Sequence, residues 1–292
     1  MILETLVSLE PSESTRVGYW ATHPYHRLNV KDYVDEFCGW QPMKELIELI
    51  PVGVQKSFFT SMFQTGGRAL EVLLLKKNNF TVIPNEGIVV VKNMRLLKRY
   101  KKTDSYIDDE GHKRWHTARF KAFRKPFSIQ LREPFTPILL RHLDSIKQPD
   151  AYLFPSPQGH SRRFNKAHPI INNIVPDVNG QVPYSPTWEY VNIRKINDLA
   201  SEDLKERLGL MRPFMAYDPE LKDKVKIADE IHLWLHWFRS QRASQLVADY
   251  NFDEMDLLGY FTWEDIKTAL RYAKTGLKRL TEKQSKAQVS YT

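Results

Sequence analysis

The sequence predicts an α+β fold that is mostly helical and contains one small three-stranded antiparallel sheet. Two observations lead to this prediction. Apolar residues recur at helical spacing both before and after a central region of the chain. Within that region lie three short runs of β-branched and aromatic residues, each bounded by Pro, Asn or Gly. Helices that flank a single small sheet are typical of an α+β domain.

The three predicted strands are FTVI, GIVVV and KPFSIQL, which begin at residues 80, 87 and 125. The connection between the second and third strands carries most of the basic residues, and its Asp109-Glu110-Gly111 triplet signals a turn. Residues 149–186 contain seven of the seventeen prolines and are predicted to be loop-rich.

Helical spacing is found on both sides of these strands. In the upstream part it is interrupted at Pro51 and at Gly66–Gly67, so we expect helix ends there. A downstream helix is predicted for TPILLRHLDSI, followed by helical stretches at 188–210, 229–249 and 253–280.

Positive charge is concentrated in one segment. The chain has a formal net charge of +8, and residues 92–125 contain twelve Lys or Arg but only four acidic residues. Such a local excess is typical of a polyanion-binding surface, and double-stranded DNA is the partner that we expect. A solvated basic hairpin is the alternative. The candidate DNA-binding residues are Lys101, Lys102, Lys113, Arg114, Arg119, Arg124 and Lys125.

Cysteine content and hydropathy exclude several protein classes. The single cysteine, Cys38, excludes an internal disulfide framework and a cysteine-based zinc finger. No apolar run approaches the roughly 18 residues of a membrane span. The first fifteen residues include acids where a signal peptide would need basic residues. We therefore expect a cytoplasmic, DNA-associated protein, with residues 1–38 as an N-terminal arm and residues 39–292 as the main domain.

The stretch LHWFRSQRASQL, residues 235–246, places two ionisable groups in an apolar helix. On a helix, His236 and Arg239 fall on one line, and burying them would cost free energy unless they had partners. A helix-edge ion pair is the structural interpretation, and a negatively charged ligand is the functional one. His232 and His236 could share a metal, but no third ligand and no HExxH motif accompany them. We expect no metal and no cofactor.

Two further motifs contain candidate site residues. TGGRALE, residues 65–71, places Arg68 after a glycine pair and three residues before Glu71. WEDIKTALRYAK, residues 263–274, places Trp263 nine residues before Tyr272. Each motif, taken alone, favours a structural role, such as a capped helix or a core aromatic.

Taken together and in this order, the motifs resemble the catalytic domain of the tyrosine recombinase (phage integrase) family. That family has an Arg in a TGxRxxE setting, a Lys on a β-hairpin, a His-x-x-Arg motif, and a His or Trp nine residues before a nucleophilic Tyr. TGGRALE, HWFRSQRASQL and WEDIKTALRYAK match these elements, and YLFPSPQGHS resembles the segment after the family's sheet. The resemblance spans roughly residues 40–280. It implies a DNA breaking-rejoining catalytic domain.

The resemblance also implies an activity: site-specific recombination or integration of DNA, as in mobile elements, through a 3′-phosphotyrosyl intermediate and without a metal. Tyr272 would attack the DNA phosphate, two arginines and Trp263 would bind the phosphate oxygens, and His236 would act as general base. A hairpin lysine would protonate the leaving 5′ oxygen. The implied catalytic residues are Arg68, Lys121, His236, Arg239, Trp263 and Tyr272. A dimer or tetramer on DNA would be the working form.

The sequence departs from the family pattern in three respects. Ser240 replaces the His that often follows the second Arg. The hairpin lysine is ambiguous: Lys121 fits by its distance to the strand that follows it, and Lys98 fits if the position is counted from the strand before. Inserts lie near residues 95–118 and 176–228. Only about forty residues precede the match, so we expect that the second insert closes around DNA or that an accessory DNA-binding protein assists.

Three other functions remain open at this point. A type IB topoisomerase-like enzyme would share the fold and the tyrosyl chemistry, but it would relax supercoils instead of exchanging strands. A catalytically inactive DNA-binding relative would keep the fold and lose the chemistry. A metal-dependent nuclease would need clustered acids, which the sequence lacks.

Overall fold

A computed structural model describes residues 36–98, 105–107, 113–115, 119–156, 176–184, 186–218 and 223–273. The helices are α1 (Trp40–Glu48), α2 (Val54–Thr65), α3 (Ala69–Leu73), α4 (Thr136–Ser145), α5 (Pro186–Leu199), α6 (Glu202–Arg207), α7 (Leu235–Tyr250), α8 (Glu254–Phe261) and α9 (Ile266–Ala273). The strands are β1 (Phe80–Ile83), β2 (Ile88–Val91), β3 (Arg95–Lys98), β4 (Ser105–Ile107), β5 (Lys113–Trp115), β6 (Arg119–Phe123), β7 (Phe127–Gln130), β8 (Met211–Asp218) and β9 (Asp223–Glu230).

The chain divides into two compact units. Unit 1 consists of Met1–Leu49, Tyr190–Glu254 and Asp265–Thr292, and unit 2 consists of Ile50–Glu189 and Met255–Glu264. The predicted boundary between an arm at 1–38 and a domain at 39–292 stays a prediction, because residues 1–35 lie outside the described part of the chain.

Unit 2 contains the predicted sheet. Strands β1, β2 and β7 pair antiparallel in that order, with Phe80 opposite Val91 and Val91 opposite Phe127. Val89 of β2 and Ile129 of β7 are fully buried, whereas Ser128, between the buried Phe127 and Ile129, is exposed. Alternate residues of β7 therefore face the core, and the sheet packs on one face. The prediction of a mostly helical α+β fold with a small three-stranded antiparallel sheet is confirmed.

The connection between β2 and β7 forms two further two-stranded antiparallel sheets, in the region where the first insert is predicted. Strand β3 pairs with β6, and β4 pairs with β5. The pairing of β3 with β6 shifts register between Leu96 and Leu97, so that Leu96 lies opposite Ala122 and Leu97 opposite Phe120. Lys121 is therefore the additional residue of a β-bulge, a feature that bends and twists a strand locally.

Helix α2 lies at the centre of unit 2 and packs against α4 and α3. Three of its phenylalanines are fully buried, and two of them meet other aromatic rings edge-on: Phe58 with Phe154 at 5.4 Å, and Phe63 with Phe135 at 5.7 Å. The helix ends as predicted at the glycine pair. Gly66 adopts a left-handed conformation with φ of 58°, which costs glycine no steric strain.

Unit 1 contains α1, most of α5, α6, α7, α9 and one long hairpin, whereas α8 belongs to unit 2 except for its first residue. The amphipathic helix α1 buries Met43, Leu46 and Ile47 and contacts α6, where the Arg207 guanidinium pairs with the Glu45 carboxylate. That pairing lowers the pKa of Glu45 below its usual value. Strands β8 and β9 form an antiparallel hairpin within the second predicted insert, which the sequence analysis had not identified.

Three helix predictions need correction at their boundaries. The stretch at 188–210 is two helices, because Ser201 begins α6 by accepting a hydrogen bond from the Leu204 amide at 3.2 Å. Residues 229 and 230 belong to β9, and the helix predicted at 229–249 begins at Leu235. The stretch predicted as one helix from 253 is α8 and α9, because Thr262 has a φ of 52°, incompatible with a continuing helix.

Among the described residues, the structure has no helix that is both long and apolar enough to cross a membrane.

The neighbours of Gly67 in unit 2 leave no space for a side chain in their present positions. A Cβ atom there would lie 2.2 Å from Met94 Cε and 2.7 Å from Val72 Cγ2, both of them buried side chains. We expect Gly67→Ala to lower the free energy of unfolding by about 1 to 3 kcal/mol through overpacking. Urea denaturation would measure the change.

Gly259, in helix α8, is the matched control, because a Cβ atom there would meet nothing within 4 Å. Gly259→Ala should be neutral or stabilising by up to about 1 kcal/mol, since alanine favours a helix. Equal destabilisation by both substitutions would contradict the steric explanation.

Candidate functional site

The His-x-x-Arg motif lies on the buried helix α7 of unit 1. The helix follows Trp234, which is extended, and ends at Asn251, whose φ of 58° stops the helical run. His236 lies in the first turn and is exposed, and Arg239 lies one turn later and is only 2% exposed. The predicted helical setting of both residues is therefore present, with the imidazole at the surface and the guanidinium inside.

The structure brings Tyr272 to the same helix. Tyr272 lies on α9, which packs against α7, and its hydroxyl lies 3.3 Å from the Ser240 hydroxyl, within hydrogen-bond distance. Both residues are buried, Tyr272 being 5% exposed. Ser240 directly follows Arg239 in the chain, so the phenol oxygen lies beside the helix that carries His236 and Arg239.

Ser240 is a residue whose role the sequence analysis missed. It was recognised only as a departure from the family pattern, at the position after the second Arg. The structure gives it a contact with the predicted nucleophile. No signal in one sequence could have revealed this contact, because the two residues are 32 positions apart and belong to different helices.

Arg68 lies in unit 2 at the start of α3, where the buried carboxylate of Glu71 fixes it. Glu71 accepts hydrogen bonds from the Arg68 amide at 2.8 Å, from Arg68 Nη1 at 2.7 Å and from the Leu97 amide of β3 at 3.1 Å. Arg68 Nη1 also donates to the Leu97 carbonyl at 3.1 Å. The side chain of Arg68 nevertheless remains 48% exposed. One end of the guanidinium is held in place, and much of the side chain faces solvent.

In unit 2, Lys121 pairs with the residue that follows Trp263 in the chain. The Lys121 ammonium forms an ion pair with the Glu264 carboxylate, and Glu264 directly follows Trp263. The indole of Trp263 stacks on the Phe261 ring at 4.4 Å with an interplanar angle of 10°. The strand that carries Lys121 pairs with β3, whose Leu97 contacts Arg68. The predicted residues of this unit thus lie on directly connected elements.

The structure describes only part of the predicted DNA-binding set. Lys101 and Lys102, and the side chains of Lys98, Lys113, Arg114 and Arg119, lie outside what the structure describes. Lys125 is exposed, as a DNA contact requires. Arg124 needs correction, because it is 2% exposed and its guanidinium donates to the Tyr260 carbonyl at 2.6 Å and to the Thr65 carbonyl at 2.5 Å. Its charge is directed into the protein.

His232 already has protein partners. Its Nδ1 lies 3.2 Å from the Asn197 amide nitrogen and 3.8 Å from the Glu230 carboxylate. Burial raises the pKa of Glu230, but the hydrogen bond and charge of Lys205 outweigh burial and lower it overall. No cluster of three or more His, Cys, Asp or Glu that could hold a metal is found among the described residues. Burial raises the pKa of Cys38 to about 12, so its thiol stays protonated near neutral pH.

Comparison with known proteins gives structural matches alone. No family model and no curated protein matches the chain. The matching solved structures include the XerH site-specific recombinase bound to palindromic difH substrate in a post-cleavage complex, with 12% identity over 87% of this chain and 53% of that one, at a TM-score of 0.44. They also include the Tn1549 transposon integrase with transposon right end DNA (12% identity, 83% and 65% covered, TM-score 0.43) and the XerA recombinase (17% identity, 84% and 61% covered, TM-score 0.39).

The chain spans about half the length of the XerH structures that it matches, and less than two thirds of the XerA and Tn1549 chains.

The buried carboxylate of Glu71 should contribute measurably to stability. Glu71→Ala leaves the amides of Arg68 and Leu97 without their acceptor, which should lower the free energy of unfolding by about 2 to 4 kcal/mol. Urea denaturation followed by circular dichroism measures this change. Glu86→Ala removes an exposed carboxylate of the same unit and should change it by less than about 0.5 kcal/mol. Similar values for the two variants would show that the Glu71 network contributes no net stability.

Proposed function

We propose that the protein is a DNA strand transferase that cleaves and rejoins DNA through Tyr272, and that it acts as a site-specific recombinase or integrase. The ordered series of motifs around Arg68, Arg239 and Tyr272 supports this proposal. Each motif lies in the local structure that the chemistry needs: Arg68 at an anchored helix start, Arg239 inside a helix, and Tyr272 against that same helix.

The observation that carries the proposal is the contact between Tyr272 and Ser240. It places a phenol oxygen beside the helix that presents an imidazole and a guanidinium. The phenol has an unperturbed pKa near 10, so it needs a base to become a nucleophile at neutral pH. His236, one turn before Arg239 and exposed at the surface, is the base that we assign to it.

The proposed reaction is a transesterification. Tyr272 Oη bonds to the phosphorus while the bond from phosphorus to the 5′ oxygen breaks, and the phenol proton passes to His236. The product is a 3′-phosphotyrosyl bond and a free 5′ hydroxyl. Attack by a 5′ hydroxyl reverses the step and rejoins the strand. Because the ester bond is retained on the tyrosine, rejoining needs no external energy source.

The arginines and Trp263 would stabilise the charge of the transition state. Negative charge accumulates on the nonbridging phosphate oxygens, and guanidinium groups meet such oxygens with paired donors. The carboxylate of Glu71 and the carbonyl of Leu97 already orient Arg68, so little reorganisation is needed when phosphate arrives. The indole N–H of Trp263 is a neutral donor suited to the same oxygens.

Lys121 is the general acid that we favour over Lys98. Its ammonium is paired with Glu264, the residue next to Trp263, so it lies close to another proposed catalytic group. The Glu264 carboxylate is 73% exposed, and such exposed ion pairs contribute little free energy. An incoming phosphate can therefore displace Glu264, and Lys121 can then protonate the leaving 5′ oxygen.

The basic segment at 92–125 would position the duplex through phosphate contacts, with Lys125 as an exposed example. We propose double-stranded DNA as the partner and a dimer or tetramer on DNA as the working assembly. An accessory DNA-binding protein would supply contacts beyond this segment. The biological role would be integration or excision of a mobile element.

Cleavage should trap the protein on DNA. We expect that incubation with supercoiled DNA in EDTA, followed by SDS, gives covalent DNA–protein adducts. Tyr272→Phe should reduce adduct formation by about a thousandfold or more, because the nucleophile is lost. Tyr250→Phe, at the end of α7 in the same unit, is the matched control and should leave the adduct yield unchanged.

The outcome separates the proposal from its rivals. Adducts accompanied by relaxation but no exchange between two target sites would favour a topoisomerase-like activity. DNA binding without adducts on any substrate would indicate a catalytically inactive DNA-binding protein. Cleavage that EDTA abolishes would indicate a metal-dependent nuclease.

A further inference from the structure

We infer that Arg124 is a positioning residue that fixes the two backbone segments carrying Arg68 and Trp263. The inference rests on the proposed function, because it assigns Arg124 an effect on cleavage through those two residues. The position of Arg124 in the basic segment at 92–125 had suggested a DNA contact. Its burial and its hydrogen bonds give it a different part in the same reaction.

The guanidinium of Arg124 joins two segments that are far apart in the chain. Nε donates to the carbonyl of Tyr260 at 2.6 Å, and Nη1 donates to the carbonyl of Thr65 at 2.5 Å. The guanidinium carbon lies 3.7 Å from the centre of the Phe127 ring, so the planar group is packed on an aromatic face. A rigid fork with fixed donor directions sets the relative position of the two carbonyls.

A short and rigid connection runs from Thr65 to Arg68. The Thr65 hydroxyl accepts a hydrogen bond from the Gly67 amide at 3.1 Å. Gly67 packs so closely against Met94 and Val72 that no side chain fits there. Arg68 is in turn fixed by Glu71. A displacement of the Thr65 carbonyl would therefore be passed to Arg68 over only two intervening residues, of which Gly67 is closely packed.

The second connection runs from Tyr260 to Trp263, in both the backbone and the side chains. The guanidinium carbon of Arg124 lies 5.1 Å from the centre of the Phe261 ring, and that ring stacks on Trp263. The hydroxyl of Thr262 accepts a hydrogen bond from the Lys125 amide at 3.1 Å, and the Trp263 amide donates to the Leu258 carbonyl at 3.1 Å. One aromatic ring thus connects the guanidinium with the indole.

Arg124 is also tied to the strand of Lys121. It lies one residue beyond the end of β6, and its amide donates to the Met94 carbonyl at 2.8 Å, beside the start of β3. Three groups that the proposed reaction uses in this unit, Arg68, Lys121 and Trp263, are therefore attached to segments that one side chain holds together. Arg124 is predicted to affect cleavage without touching the DNA.

The test is a double-mutant cycle on the rate of adduct formation with a nicked suicide DNA substrate. Arg124→Lys keeps the charge but loses the planar fork. It should slow adduct formation by about 10- to 100-fold, as misplacement of catalytic groups by about an ångström does. In a Trp263→Ala background the same change should cost clearly less, because one of its targets is already absent.

If Arg124 and Trp263 acted independently, the effects of the two substitutions on the rate of adduct formation would multiply. If Arg124→Lys slowed adduct formation by the same factor in both backgrounds, positioning of Trp263 would be refuted. Phe261→Leu is the second variant in case Arg124→Lys fails to fold, since it removes the ring stack and keeps Arg124 with both of its carbonyl acceptors. Its effect should likewise diminish in the Trp263→Ala background, and an undiminished effect would overturn the inference in the same way.

A measurement independent of activity separates this inference from the proposed function. Amide hydrogen exchange should accelerate by about fivefold or more in Arg124→Lys at residues 66–68 and 261–263, because local opening becomes easier. Exchange in α4 should not change. The positioning role would be refuted if exchange were unaltered in both segments, or if it increased equally in α4. The absence of adducts with the unaltered protein would instead refute the proposed function alone.

Discussion

The arrangement of the proposed catalytic segments of unit 2 depends on the buried guanidinium of Arg124. Removing a guanidinium from water costs several kcal/mol, and the cost is recovered only when its donors find well-placed acceptors. Arg124 finds two backbone carbonyls, those of Thr65 and Tyr260, and an aromatic bed around Phe127. Because those carbonyls belong to the segments that lead into Arg68 and Trp263, the hydrogen bonds that hold the cation also fix the proposed phosphate ligands.

A second buried charge completes the arrangement of this unit. Glu71 accepts from two amides and from the Arg68 guanidinium, and it thereby joins the start of α3 to β3. Strand β6, which pairs with β3, carries Lys121 on a bulge. In unit 1, the corresponding support is a single helix: α7 is buried along most of its length, and Ser240 on it contacts the phenol of Tyr272. In both units, rigid elements present the groups that the proposed chemistry needs.

Sequence reasoning succeeded where a local pattern sufficed. Runs of β-branched and aromatic residues bounded by Pro, Asn or Gly were enough to predict β1, β2 and β7, and the glycine pair marked the end of α2 correctly. It failed where tertiary contacts decide. The charge of Arg124 suggested a surface residue, because the sequence does not show which carbonyls will surround it. The break between α8 and α9 depends on the left-handed conformation of Thr262, and threonine rarely adopts it without a tertiary reason. The β8–β9 hairpin was missed, although the Asp218-Pro219 dipeptide at the end of β8 favours a turn.

The central claim is that the phenol oxygen of Tyr272 becomes bonded to DNA. The most direct measurement is mass spectrometry of the adduct after nuclease and protease digestion, which identifies the peptide that carries a nucleotide. The sequence contains thirteen tyrosines. Our account predicts the nucleotide mass on Tyr272. Its presence on another tyrosine, or on a serine, would contradict the account, because the groups assigned around Tyr272 would then serve no reaction.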